Sequence, residues 1–356
     1  MKRATLVQFG LFGILAITGL ASMAIIGCDS AGDAAKNGSA NGASKGPITL
    51  VNVSYDPTRE LWRDINAEFT PHYEKENGQK VTIEQSHGGS ASQARLIIDG
   101  LKADVATLSI WTDTDSLRKE GLLKEGWENA LPNKSLPYTS TVVFVVRKGN
   151  PKGIHDWADL VKDGVEIITP NPKTSGNGRL SLLAAWGSVV LNGGSEADAT
   201  EFLKKLYGNV KILDTGARGA TLTFATKGQG DVHLAMESEA YREIEDAKGE
   251  LEMITPAQSI LHEPQVAVVD QVVDQRGTRA AAEAYLKFVY TPAAQEIIAK
   301  HHYRPTDPSV AAKTADQFAK IKLFRVSDLD RVPDWEAAQA KFFADGAIFD
   351  SIYLKK

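Results

Sequence analysis

The stretch of this chain best equipped for chemistry is Asn171-Pro172-Lys173-Thr174-Ser175-Gly176-Asn177-Gly178-Arg179. Its small, mostly uncharged residues follow a strand-like run, Val165-Glu166-Ile167-Ile168-Thr169. They precede a helical pattern that puts Leu182, Leu183, Trp186, Val189 and Val190 on one side. The first N–H groups of a helix lack carbonyl partners and sit at the positive end of its dipole, so an oxyanion can satisfy them. Ser175 falls at the N-cap, where its hydroxyl either caps the helix or donates to a guest. The chemistry on offer is recognition of a compact anion by uncharged donors. One such loop is also an ordinary helix cap, so the reading depends on recurrence.

The pattern does recur. Val51-Asn52-Val53-Ser54-Tyr55 reads as a strand entering Asp56-Pro57-Thr58-Arg59, with Asp56 at the N-cap and Pro57 at the first helical position, ahead of Leu61, Ile65 and Phe69. Val81 to Gln85 runs into Ser86-His87-Gly88-Gly89-Ser90, followed by Ala94, Ile97, Ile98 and Leu101 at helical spacing. Val210 to Leu213 ends in Asp214-Thr215-Gly216-Ala217-Arg218-Gly219, before Leu222 and Phe224. Strand ends that feed helix starts describe an open α/β sheet, in which ligands collect at the carboxyl ends of the strands.

Other candidates have simpler readings. His87 beside Ser86 could act as a base, but triad partners cannot be read from spacing, and a loop histidine near a lobe interface suffices. The carboxylates of Trp111-Thr112-Asp113-Thr114-Asp115 suit a solvated N-cap and first turn better than a catalytic pair. His301-His302 ends a helical stretch, where cations favour the dipole. The one Gly-X-Ser-X-Gly match, Gly42-Ala43-Ser44-Lys45-Gly46, has no strand before it, as a nucleophile elbow requires. No metal-ligand cluster is visible, and no cofactor is expected.

The 356 residues begin with Met1-Lys2-Arg3, an uncharged run from Ala4 to Gly27 and then Cys28. That is a signal peptide with a lipobox-like end; the alternative is an uncleaved membrane anchor, since the run is long enough to span a bilayer. Cys28 is the only cysteine, so it is expected to carry a lipid, and no intrachain disulfide can form. Residues 29–46 hold no large apolar side chain and read as a flexible tether. Loss of Lys2 and Arg3 with the leader moves the formal charge from -5 to -7, which does not support a nucleic-acid surface. The rest is long for a single core and suggests two lobes. We expect residues 47–131 and 249–303 in one, 132–248 in the other, hinges near Leu131 and Gly249, and closing helices over 304–356. Thr139 to Val146, rich in β-branched residues, is the candidate crossover strand.

Taken together, Val53 to Leu61, Gln85 to Ser90, Pro170 to Gly176, Gly216 to Gly219, Leu183-Ala184-Ala185-Trp186-Gly187 and Ala284-Tyr285-Leu286-Lys287 resemble the motifs of bacterial periplasmic sulfate-binding proteins, the solute receptors of sulfate/thiosulfate ABC importers. The likeness runs from about Ile48 to Tyr353. It implies a two-lobed type II periplasmic binding fold of α/β class and a receptor in the periplasm or cell envelope that delivers sulfate or thiosulfate to an ABC permease, with no enzymatic activity; with Cys28 as the lipid site, the protein is expected to be an exported, lipid-anchored monomer. Carried over position by position, the donors would be the backbone N–H groups of Asp56, Ser90, Gly176, Asn177 and Ala217, with the Ser175 hydroxyl. A fully ionised sulfate has no proton to give, so a pocket of donors suits it, whereas monohydrogen phosphate needs an acceptor. Six hydrogen bonds to a charged guest at roughly 1.5–3 kcal/mol each, less desolvation and closure, are compatible with about -8 kcal/mol, a micromolar affinity.

Two positions depart from the sulfate receptors. They often carry Trp, an indole donor, where this chain has Met236, which cannot donate; that loss weakens sulfate or makes room for a softer oxyanion, and Glu237-Ser238-Glu239 with Leu323-Phe324-Arg325-Val326 is more similar to thiosulfate receptors. Asn177 stands where glycine is usual, which is tolerable if only its N–H is used. Arg59, Arg179 and Arg218 lie near the proposed donors and are expected behind the loops, holding peptide dipoles, rather than on the ligand. Phosphate or molybdate is the alternative guest. An enzyme on the same architecture is the alternative function; hydroxymethylbilane synthase has this fold but needs a cysteine for its cofactor.

Overall fold

The computed structural model describes residues 46–353; the signal peptide, Cys28 and nearly all of the tether lie outside them. Twelve strands alternate with helices: β1 (Ile48–Tyr55), β2 (Val81–Gly88), β3 (Val105–Thr107), β4 (Tyr138–Arg147), β5 (Ile167–Pro170), β6 (Val210–Asp214), β7 (Val232–Met236), β8 (Leu251–Ile254), β9 (Gln258–His262), β10 (Val266–Val268), β11 (Arg304–Pro305) and β12 (Lys322–Phe324). They build two sheets, one in each lobe. The smaller has the order β10-β3-β1-β2; the larger runs β12-β9-β4-β7-β5-β6, with β8 and β11 also paired to β4.

Register decides where the turns go. β1 is parallel to β2 with Tyr55 opposite Gly88, and parallel to β3 with Ser54 opposite Thr107. In the larger sheet β5 is parallel to β6 with Pro170 opposite Asp214, and Val142 of antiparallel β4 faces Met236 at the end of β7. Parallel strands with level carboxyl ends deliver their following helices side by side.

Both sheets bury apolar side chains on two faces, as helix-covered parallel sheets do. Leu50 and Val105 pack with Leu61, Trp62, Ile65 and Phe69 of the first long helix and with Tyr285, Leu286 and Ile298. Val53 and Ala106 pack on the opposite side with Ala94, Ile97 and Leu117. In the larger lobe, Leu182, Leu183 and Trp186 meet Phe144, Leu203, Phe342 and Phe349, so the C-terminal aromatics are buried against that lobe. Trp186 sits edge-on to Phe342 at 5.0 Å.

The chain crosses to the larger lobe along β4. Tyr138, at the start of β4, is buried with the smaller-lobe cluster, and Val142 with the larger. The return differs from the expected crossing at Gly249: β8 and β9 still pair with β4, and the chain reaches the smaller sheet only at Val266. Lys248 and Gly249, with φ of 51° and 88°, form a turn into β8. A glycine that serves a tight turn looks, by composition, like a linker.

Candidate functional site

The strand-end turns meet. One small cavity, about 10 Å3, lies between the lobes and is lined by Asp56 and Ser90 from the smaller lobe, and by Ser175, Gly176, Asn177, Ala217 and Met236 from the larger. Tyr55, Pro57, Gly88, Gly89 and Ser109 complete the wall.

Each wall has a local cause. Ser175, extended at φ -120° and ψ 130°, caps the helix Gly176–Val190, its oxygen accepting from Gly178 N–H at the limit of 3.5 Å. That helix is almost wholly buried at its start, so its N–H groups cannot turn to water. Asn177 has an ordinary helical backbone, and its side chain donates to the Leu234 carbonyl at 3.2 Å and accepts from Ser181, leaving the N–H toward the cavity wall. Ser90 opens the helix Ser90–Ile98 and Ala217 the short helix Ala217–Thr221; neither N-cap, Gly89 or Gly216, supplies a side-chain cap. Asp56 starts a 3-10 turn capped by extended Tyr55 rather than acting as the N-cap itself, because its carboxylate is taken by Arg59 at 2.7 Å. Among the described residues, none of the N–H groups of Asp56, Ser90, Gly176, Asn177 and Ala217 has a backbone acceptor. Buried N–H groups left without acceptors are rare, and five around one cavity is a site that asks for an anion. Met236, 1 % exposed, closes the larger-lobe wall without a donor of its own on the side chain.

Glycines set the closeness of the lobes. A Cβ on Gly89 would meet the Thr174 and Thr215 carbonyl oxygens of the other lobe at 2.4 and 2.9 Å, and one on Gly216 would meet Asp56 Oδ2 at 2.2 Å.

The nearby cations are engaged behind the turns. Arg179, 5 % exposed, donates to Asp113 at 2.7 Å and to the Pro172 carbonyl at 3.1 Å, bracing the loop before Ser175. Arg59 holds Asp56 and the His87 carbonyl, and Arg218 donates to Glu60 at 3.1 Å. The expectation of a solvated turn at Trp111–Asp115 is corrected: Asp113 and Asp115 are buried, the first paired with Arg179 across the lobes and the second with Arg118 at 2.7 Å. Their partners lie 66 and 3 residues away, and the distant one cannot be read from local sequence. His87 is not in the cavity wall; burial, reinforced by Arg59, pushes its imidazole down to about 4.

Ser109 was not singled out by sequence reasoning. It follows β3 by two residues, is 3 % exposed, and lies against Gly176 and buried His262. No glycine loop marks it; the only signal is its place at a strand's carboxyl end. Among the described residues no group of three or more His, Cys, Asp or Glu could hold a metal, and no helix is long and apolar enough to cross a membrane.

A two-lobed α/β molecule with an anion-suited cleft at the strand ends has the architecture of the two-lobed solute-binding proteins. Residues 53–304 match the family described as bacterial extracellular solute-binding protein. A sulfate-binding protein of Salmonella typhimurium is 50% identical over 307 residues, covering 86% of this chain and 93% of that protein. A thiosulfate-binding protein of Pseudomonas aeruginosa is 47% identical over 314 residues, covering 88% and 94%. Among solved structures, the sulfate-binding protein SubI from Mycobacterium tuberculosis superposes with a TM-score of 0.75 at 34% identity, over 83% of this chain and 99% of that one. The chain belongs to the bacterial extracellular solute-binding family, in the group that includes these sulfate- and thiosulfate-binding proteins.

Proposed function

We propose that this protein captures sulfate or thiosulfate outside the cytoplasm and hands it to an ABC permease. The observation that carries the reading is the set of five N–H groups without backbone acceptors, joined by the Ser175 hydroxyl, around one interlobe cavity. The names of the relatives support the same ligand class. The guest is held by Asp56, Ser90, Gly176, Asn177 and Ala217 through peptide dipoles, with Arg59, Arg179 and Arg218 stiffening the turns; fixed dipoles need no rearrangement when the charge arrives. The lobes close about β4 and the β9–β10 turn. The protein acts as a monomeric receptor, not an enzyme, and Cys28 carries the lipid that holds it to the membrane.

Met236 favours thiosulfate as the second reading, since a wall without an indole donor suits a larger, softer oxyanion. Calorimetric titration of the purified protein with sulfate, thiosulfate, phosphate and molybdate tests both. Micromolar or tighter binding of sulfate or thiosulfate is expected, with phosphate far weaker. Phosphate binding tighter than sulfate rejects the donor-only pocket, and turnover of a sulfate ester by the protein alone rejects the receptor.

A further inference from the structure

We propose that the Ser109 hydroxyl is a further donor to the bound anion and that His262 orients it, donating to Ser109 Oγ so that the hydroxyl proton is left for the guest. The proposal rests on the receptor reading above and adds a residue to its site.

The argument is a proton count. Ser109 lines the cavity, and its own N–H donates to Ser90 Oγ at 3.0 Å. His262, fully buried on β9, places Nε2 2.9 Å from the Ser109 carbonyl oxygen and 3.0 Å from Ser109 Oγ. A carbonyl only accepts, so Nε2 must carry the proton. Burial pushes the imidazole down to about 4, so the ring is neutral at physiological pH and its lone pair is on Nδ1, which has no partner among the described residues. Nε2–H therefore serves both Ser109 oxygens, and Ser109 Oγ cannot return its proton to that nitrogen. No other partner of this hydroxyl is found among the described residues. Its proton is uncommitted on a buried residue that faces the cavity.

Two consequences follow for the guest. Ser109 offsets the donor that Met236 lacks. Because Nε2–H donates to its oxygen, the hydroxyl is set to donate away from His262, and a fully ionised sulfate or thiosulfate oxygen accepts from it.

Ser109→Ala is expected to weaken sulfate and thiosulfate about tenfold while leaving the ligand-free melting temperature within about two degrees. His262→Asn, which removes the Nε2–H that orients the hydroxyl, is expected to weaken sulfate and thiosulfate about threefold, and Ser109→Ala made on that background is expected to cost less than its tenfold effect alone, a coupling that loss of packing alone would not make. A crystal structure of the unaltered protein with sulfate is expected to put Ser109 Oγ within hydrogen-bond reach of an anion oxygen, which tests the claim even if a variant does not fold. Binding by Ser109→Ala within twofold of the unaltered protein, or Oγ beyond 3.5 Å from every anion oxygen, overturns the proposal. Failure of the unaltered protein to bind sulfate or thiosulfate would instead sink the receptor reading.

Discussion

At the scale of the residue, recognition here depends on what is absent as much as on what is present. Gly89 and Gly216 lack the Cβ that would hold the turns apart, and no cationic side chain is needed where peptide N–H groups are already aimed. Gly89 has φ -59° and ψ 136°, angles any residue can adopt, so Gly89→Ala should fold normally. Its methyl would press on two backbone carbonyls of the other lobe, which cannot swing aside as a side chain could. We expect an affinity loss of about 100-fold for the anion, about 2.7 kcal/mol, with ligand-free stability unchanged. A titration giving the same Kd as the unaltered protein would mean the turns do not meet in the liganded state.

At the scale of the element, the strand β4 and the short segment between β9 and β10 join the lobes, and β9 carries a buried imidazole at its end. Burial holds His262 at about 4 against an ordinary 6.5, with Tyr55 edge-on at 5.6 Å and the Ser109 oxygens as its neighbours. The unfolded chain protonates this histidine below 6.5 while the folded chain refuses the proton until about 4, so the unfolded state binds more protons in that window. Stability should therefore fall as pH drops from 6.5 toward 4, by up to about 1.4 kcal/mol per pH unit from this group. Urea unfolding at pH 7 and pH 5 should show a loss smaller by about 2 kcal/mol in His262→Asn than in the unaltered protein. Equal pH dependence in the two proteins would contradict the assignment. His87, also held at about 4, contributes in the same window and should remain in the variant.

At the scale of the molecule, ion pairs tie the lobes on both sides of the cleft. Arg179–Asp113 and Lys119–Glu336 span it on one side, at 2.7 and 2.6 Å. On the other, Glu60 of the smaller lobe receives Arg218 and Arg242 of the larger, and Glu239 of the larger lobe faces the same two arginines. Opening would strand the two guanidiniums on one lobe with Glu239 alone. Burial works against the charge of Arg242, and the Arg218 guanidinium adds repulsion. The Glu60 carboxyl is pushed up by burial, yet the guanidiniums of Arg242 and Arg218 outweigh this and hold it below the usual range. Glu60→Gln should release ligand about five- to tenfold faster with little change in the association rate, since most affinity changes within one complex fall in koff. Stopped-flow release by Glu60→Gln at the rate of the unaltered protein would remove Glu60 from closure.

The local parts were legible in the chain. A strand, a small-residue turn and an apolar-periodic helix are fixed within a few residues of one another, so the turns at Asp56, Ser90, Ser175 and Ala217 could be read without coordinates, as could the α/β class from their recurrence and the two lobes from the length of the chain. Tertiary structure alone decided the rest. Whether those turns share a cavity depends on strand order and register, such as Tyr55 opposite Gly88 and Pro170 opposite Asp214, which are set by pairing between distant segments. The same holds for the return to the smaller sheet at Val266 rather than Gly249, for burial of Asp113 against Arg179, and for Ser109, whose partner His262 is 153 residues away. Caps are local and can be spelled out in sequence; convergence is a property of packing, and it is convergence that turns separate N–H groups into a site.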